Sequence, residues 1–379
     1  MSADPAHAAL AALAAPAPRS ALEAAHAAHL ATAAVFIVVA LFLAALAFGP
    51  LPARLETALG GRLPRLLARL LASVLIVAAA LALRLAVLVG LTLLVPAPAY
   101  PTALGAAAAG LGLDLVLFGG ALFALRSVLA AAPRRGWLYL SLAATALSAA
   151  LFLIPPLTLV PRVRGDIPAP PGAGAALLDL ARRDGAPVKT LYVYPGENPA
   201  DVDVETVGPF ARLAVSRAAL ERPTPETYAA LAHLLGHAAH HDLWGFVALT
   251  SLLAALLFLV LSAAPARLMG RGPEAVRRAR FLPLTALLVW GFAPLAVAAF
   301  DLFDQEINLR ADAHALALTG RPDALCRWLR KDTAPGDPDP ALLERVFFYT
   351  HPPLGARLER VMAMAEKSGR LNGPFAQVR

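Results

Sequence analysis

The residues best suited to chemistry gather in one short stretch, Leu231–Asp242, which reads LAHLLGHAAHHD. His233 and His237 stand at i and i+4, so on a helix both imidazoles leave one face, a turn apart. That spacing offers two nitrogen ligands to a single zinc ion. Leu234 follows the first histidine and can neither accept nor donate a proton. His240 and His241 come a turn after His237 and could join it in a rearranged set, and His351 lies far downstream in the run HPPLGAR, 351–357. Asp304, Asn308 and Asp312 recur at helical spacing, which gives one face two carboxylates flanking an amide. Taken alone, a histidine pair of this kind is usually a surface or capping pair, so its context has to decide.

That context is a helix that starts at the signal Thr224-Pro225-Glu226 and leads into an apolar span. The chain has 379 residues, of which 59% are hydrophobic and only 16% charged, with a mean hydropathy of +0.64. An ordinary soluble domain is less apolar and more charged. A bilayer crossing needs about 20 mostly apolar residues. Six stretches qualify: Thr32–Phe48, Leu70–Val95, Ala103–Leu125, Trp137–Val160, Leu243–Ala264 and Phe281–Phe303. The expected fold is therefore mainly α, a polytopic membrane protein of about six transmembrane helices. A small α+β domain sits between spans four and five and is completed by the C-terminal tail.

Three segments follow from this division. Residues 1–31 form an Ala-rich N-terminal tail without the basic n-region of a signal peptide. Residues 32–160 form a four-span region, and 161–379 hold the domain with its two further spans. After a linker at Pro168, Pro170 and Pro171, an amphipathic helix is expected through Leu177, Leu178, Leu180 and Ala181. Strands are expected at Lys189–Tyr194 and Ala211–Ser216, and the histidine helix near 228–242. The tail from Asp304 reads as helical with a break at Pro335–Pro340. Arg84 and Asp114 fall inside spans, where a charge is costly and pairs or faces a polar cavity.

Composition also excludes some functions. Cys326 is the only cysteine, so neither an intramolecular disulfide nor a multi-cysteine zinc site can form. The +7 net charge is almost all arginine, and no aromatic-basic interleaving suggests nucleic-acid binding. In a membrane protein such charge flanks the spans. The arginine-for-lysine skew is that of a GC-rich, bacterial coding sequence, which makes a bacterial inner membrane the expected location. Arg54, Arg62, Arg65 and Arg69 follow span one, Arg126, Arg134 and Arg135 follow span three, and Arg267–Arg280 lie between spans five and six. The positive-inside rule favours the domain and the C-terminus outside the cytoplasm.

In order along the chain, these motifs resemble the integral-membrane zinc metallopeptidases of the CAAX-prenyl-endopeptidase and HtpX kind. Leu231–Asp242 is similar to their His-Glu-x-x-His helix, with Gly236 and His240–Asp242 at the flanking positions. Pro155-Pro156 through Pro161 is similar to the exit from their last N-terminal span, and Ala211–Leu220 resembles the edge strand before the active-site helix. Asn308–Asp312 (NLRAD) is similar to the Glu-x-x-Ala-Asp helix, and His351–Arg357 matches the His-Pro-Pro…Arg box. The resemblance covers roughly residues 150 to 365 and implies a gluzincin-like, zincin-type domain. It implies zinc on His233 and His237, Asp312 behind a ligand histidine, and His351 and Arg357 near the substrate. It also implies the cytoplasmic side for the domain, against the arginine count, so the side stays open.

The resemblance departs from its pattern where the chemistry lies. Leu234 occupies the position of the glutamate that takes a proton from zinc-bound water, and Asn308 that of the third ligand glutamate. General-base catalysis is worth about 10²–10⁴ in rate, and a neutral amide is a poor zinc ligand. Glu306 falls on another face of its helix, whereas Asp304 shares the face of Asn308 and is the available substitute. The expectation is a proteolytically impaired homologue that binds lipid together with a peptide or membrane-protein partner. An active zinc endopeptidase with rearranged ligands is the alternative, and a transporter-like protein, suggested only by Arg84 and Asp114, is a third.

Overall fold

The computed structural model describes residues 19–61, 63–94, 99–207, 210–270, 278, 280–332, 337 and 339–369. Its chain divides into two compact units. One comprises Pro18–Ala146 and Thr250–Val297; the other comprises Leu147–Leu249 and Ala298–Arg379 together with the first 17 residues, which lie outside the described ones.

The first unit is helical. It contains α1 (Arg19–Phe48), α2 (Leu51–Gly60), α3 (Arg65–Leu94) and α4 (Ala99–Ala131), and parts of three helices shared with the second unit. These three are α5 (Gly136–Arg164), a helix at Asp242–Met269 and another at Phe281–Thr319. The unit's core is aliphatic, with Val39, Leu43, Val77, Leu88, Leu125, Leu129 and Leu261 buried together. Trp290 stacks on Phe36 at 5.8 Å and donates its indole N–H to the Phe36 carbonyl at 2.9 Å.

Among the described residues, four helical stretches are long and apolar enough to cross a membrane: Ala25–Phe48, Gly136–Arg164, Asp242–Met269 and Phe281–Thr319. Expected spans two and three fall on α3 and α4, where the apolar stretches among the described residues are the shorter Val74–Gly90 and Val116–Ala131. The expected pairing of Arg84 with Asp114 lies outside the described residues, because the Asp114 side chain is not among them. Pro155, Pro156 and Pro161 sit inside α5, which carries the fourth span to Arg164 without a break.

The second unit is built on a four-stranded sheet: β1 (Ile167–Pro168), β2 (Leu191–Tyr194), β3 (Val202–Val207) and β4 (Phe210–Ser216), in the order β1-β2-β4-β3. β2 runs parallel to β4, and β1 and β3 pair antiparallel to their neighbours. The helix α6 (Ala175–Arg183) covers the sheet with Leu177, Leu180 and Ala181. A short helix, α7 (Arg217–Glu221), leads to α8 (Pro225–Ala239), the histidine helix. After it come α9 (Asp242–Met269), α10 (Phe281–Thr319), α11 (Pro322–Asp332), α12 (Leu342–Phe348) and α13 (Leu354–Lys367). Leu213 and Val215 of the sheet, Leu231 and Leu235 of α8, Leu325 and Leu329 of α11 and Leu358 and Val361 of α13 form one buried core. Burying an aliphatic side chain is worth about 1.5–3 kcal/mol, and α8 lies at the centre of that burial.

An ionic network fastens the sheet to the end of the span α5. Arg164 donates to Asp166 at 2.7 and 2.8 Å and to Asp203 at 2.6 Å, while Arg212 reaches Asp166 at 2.6 Å. The two guanidinium groups lie over the Tyr194 and Tyr192 rings at 4.3 and 3.9 Å. Glu205 stands opposite Arg212 in the β3–β4 ladder. Burial, and secondarily the charge of Asp203, push its carboxyl up to about 7.

Candidate functional site

Helix α8 begins where its residues dictate. Thr224 accepts from the Thr227 N–H and Thr227 returns a bond to the Thr224 N–H, a reciprocal cap with Pro225 in the first turn. Glu226 is held by Arg327 of α11, and the Thr227 hydroxyl donates to the Pro199 carbonyl at 2.6 Å. Gly236 is needed where α8 meets α10. A Cβ there would lie 3.0 Å from both the Ala311 Cα and the His314 Cβ.

The helix then stops, which the sequence did not announce. A continuous run into the span was expected, but α8 ends at Ala239 and α9 starts at Asp242. His241 between them is left-handed at φ 56°, the only such residue other than glycine among those described. That break swings Asp242 back to accept from His237 Nδ1 at 2.8 Å. Arg310 of α10 holds the other carboxylate oxygen at 3.0 Å.

His233 is supported in a parallel way. Asp312 Oδ1 lies 2.9 Å from its Nδ1, a close contact that favours the charged imidazole. Arg357 grips Asp312 with two bonds, at 2.7 and 2.8 Å. The Trp328 ring packs at 4.9 Å from the imidazole. Burial holds the His233 imidazole down at about 4, against the upward pull of Asp312. The two Nε2 atoms face each other at 3.1 Å.

The pair opens into a cavity of about 540 Å³. Leu234, Leu243, Phe246, Ile307 and Trp328 give it apolar walls; Asn198, Asp201, Asp304, Asn308, Lys331 and His351 give it polar ones. The structure thus brings together His233, His237, Leu234, Asp304, Asn308 and His351, with Asp312 and Arg357 directly behind. Asn308 turns its amide onto its own helix, donating to the Asp304 carbonyl at 2.9 Å and to the Asp304 side chain at 3.2 Å. His351 Nδ1 lies 3.6 Å from the same carboxylate.

Other candidates fall elsewhere. Glu306 is exposed and does not line the cavity. His240 packs edge-on to His314, whose Nε2 lies 2.7 Å from Asp184, and His241 lines, together with His237, a second cavity of about 150 Å³. Arg310, Arg327 and Trp328 escaped sequence reasoning because their partners lie on other elements and no local pattern marks them.

Catalytic zinc sites use three protein ligands and keep one open position. Here two imidazoles converge, and the third position offers an amide whose N–H₂ is committed to Asp304. Among the described residues, no group of three or more His, Cys, Asp or Glu side chains is placed to hold a metal ion. His233, His237 and Asn308 alone do not supply the three donors of a catalytic zinc site.

Comparison with known proteins agrees with the fold. Residues 206–365 match the model of peptidase family M48. A "Protease HtpX homolog" of Acidiphilium cryptum is 27% identical over 209 residues, covering 49% of this chain and 71% of that protein. A second "Protease HtpX homolog", of Aeropyrum pernix, is 31% identical over 213 residues, covering 54% of this chain and 66% of that one. The crystal structure of S. mikatae Ste24p superposes with a TM-score of 0.50 at 18% identity, over 65% of this chain and 63% of that one. The chain thus spans a little under two thirds of the length of the latter two proteins, and the likeness to Ste24p shows fold alone. With its apolar helices, the chain resembles the integral-membrane, protease-like M48 family over residues 206–365, a little under half of its length.

Proposed function

We propose that this chain is a proteolytically impaired member of its family, in which the peptidase cleft serves as a membrane-borne binding scaffold for a peptide or a segment of another membrane protein. A bacterial inner membrane fits its composition. The observation that carries this reading is the pair of residues on the cavity wall: Leu234 where a proton acceptor would stand, and Asn308, its amide turned onto Asp304, where an anionic ligand would stand. Losing the general base removes about 10²–10⁴ in rate, and losing the anionic donor weakens zinc itself. What persists is the frame, with Asp242 and Asp312 still backing the two histidines. A frame kept in order around a cavity with apolar walls supports binding without turnover.

The test uses the full-length chain in detergent with fluorogenic peptides. The scaffold reading expects peptides to be retained, measured by anisotropy, with no hydrolysis above a no-protein control. Hydrolysis that disappears on His237→Ala would overturn it.

One observation favours an active zinc endopeptidase with rearranged ligands. Asp304 shares the cavity with both histidines and lies one helical turn before Asn308. That reading expects bound zinc to depend on Asp304, and Asp304→Ala would release it.

A further inference from the structure

The short helix α12, LLERVFF, carries its apolar residues on the outside. Leu342 and Leu343 are 73% and 71% exposed, and no residue of the helix is buried. On a helical projection Leu342, Val346, Leu343 and Phe347 share one arc, with Glu344 and Arg345 off it. Such an arc needs something apolar to cover it.

The polar side shows where the helix is anchored. Arg345 donates to Gln305 Oε1 at 2.7 Å, and Gln305 donates to the Arg345 and Tyr349 carbonyls at 3.0 and 2.7 Å. Gln305 is buried on α10, two residues past Phe303, where the apolar run of that span ends. At a rise of about 1.5 Å per residue, the anchor lies about 3 Å beyond the apolar run. Phe303 itself lies against Gly245 of α9 and edge-on to Phe246 at 5.0 Å. Beside them Trp244 and Leu302 are exposed, and tryptophan is a side chain enriched at bilayer surfaces.

We infer that α12 is a membrane-surface helix whose outward arc of Leu342, Leu343 and Val346 lies in the boundary between lipid headgroups and acyl chains. The occupant is lipid because the helix is strapped to a spanning helix at the level where that helix leaves the bilayer. An amphipathic helix in that position reaches about 5–10 Å into the boundary. Three residues beyond it stands His351 on the cavity wall, followed by the buried Pro352 and Pro353. Seating α12 in lipid would thus hold the His351 turn against the cleft. This inference rests on the membrane spans and not on whether the cleft cuts peptides.

A spin label on the full-length chain in lipid nanodiscs tests it. Cys326 is buried, so Leu343→Cys and, separately, Val346→Cys can be labelled alone. The oxygen-to-nickel-chelate accessibility ratio at 343 and 346 should exceed, several-fold, that at Glu366→Cys, an exposed position on α13. A ratio at 343 equal to that at 366 would place the helix in water and overturn the inference. Exclusion of both relaxants would mean that protein, including a second copy of this chain, covers the arc, and would equally overturn it.

Discussion

Arg357→Met should cost about 3–5 kcal/mol of stability, the usual range when one partner leaves a buried ion pair. Arg357 and Asp312 are each only 1% exposed in their side chains and are joined by two bonds of 2.7 and 2.8 Å. Removing the guanidinium leaves the Asp312 carboxylate in the interior, 2.9 Å from a histidine that burial keeps neutral. An independent estimate agrees, since unit charges about 4 Å apart at an effective dielectric of about 20 attract by about 4 kcal/mol. For a unit of this size each kcal/mol shifts Tm by about 2–4 °C, so the midpoint should fall by about 10 °C. Thermal unfolding in detergent, followed by tryptophan fluorescence, reads this directly, because Trp328 packs on the His233 ring. The companion variant Arg357→Met with Asp312→Leu should recover much of the loss, because the desolvation cost disappears with the charges. A single variant that unfolds within a degree or two of the parent, or a double variant as unstable as the single, would refute the argument.

Gly236→Leu should lose about 1–3 kcal/mol, since a Cβ there would already crowd α10 at 3.0 Å and a leucine has no further room; chemical unfolding in detergent would show a lowered midpoint, and an unchanged one would refute the crowding. The Glu205 carboxyl, raised to about 7 from an ordinary 4.5, contributes stability that is fully present below pH 4.5 and is lost as pH rises through 7. Because the group is half-buried, solvent screening reduces that contribution to on the order of 1 kcal/mol. Unfolding of the parent between pH 5 and 8 should show this loss and Glu205→Gln should lack it; equal slopes would contradict the assignment.

Much of the site could be read from residue spacing. His233 and His237 announced a shared face because helical periodicity is local, and Asp304, Asn308 and Asp312 did so for the same reason. Arg357 was legible only through the family resemblance, and its role as the clamp on Asp312 needed the fold. Arg310 was invisible, since its partner Asp242 is 68 residues away. The left-handed His241 was hidden because nothing in a histidine advertises positive φ. β3 was missed although VDVETV, its sequence, carries the period-two alternation of a half-buried strand. The expected strands at Lys189–Tyr194 and Ala211–Ser216 formed within two residues of their expected ends, because β-branched and aromatic residues concentrate there.

The central claim is that the cleft keeps the frame of a metallopeptidase without the base and the anionic ligand that would make it one. Zinc stoichiometry, measured by mass spectrometry on the purified full-length chain after dialysis against the metal, tests it most directly. The account predicts well under one zinc per parent chain and about one per chain in Leu234→Glu with Asn308→Glu, where three ligands and a base are again present. About one zinc per parent chain, lost on His233→Ala, would contradict it.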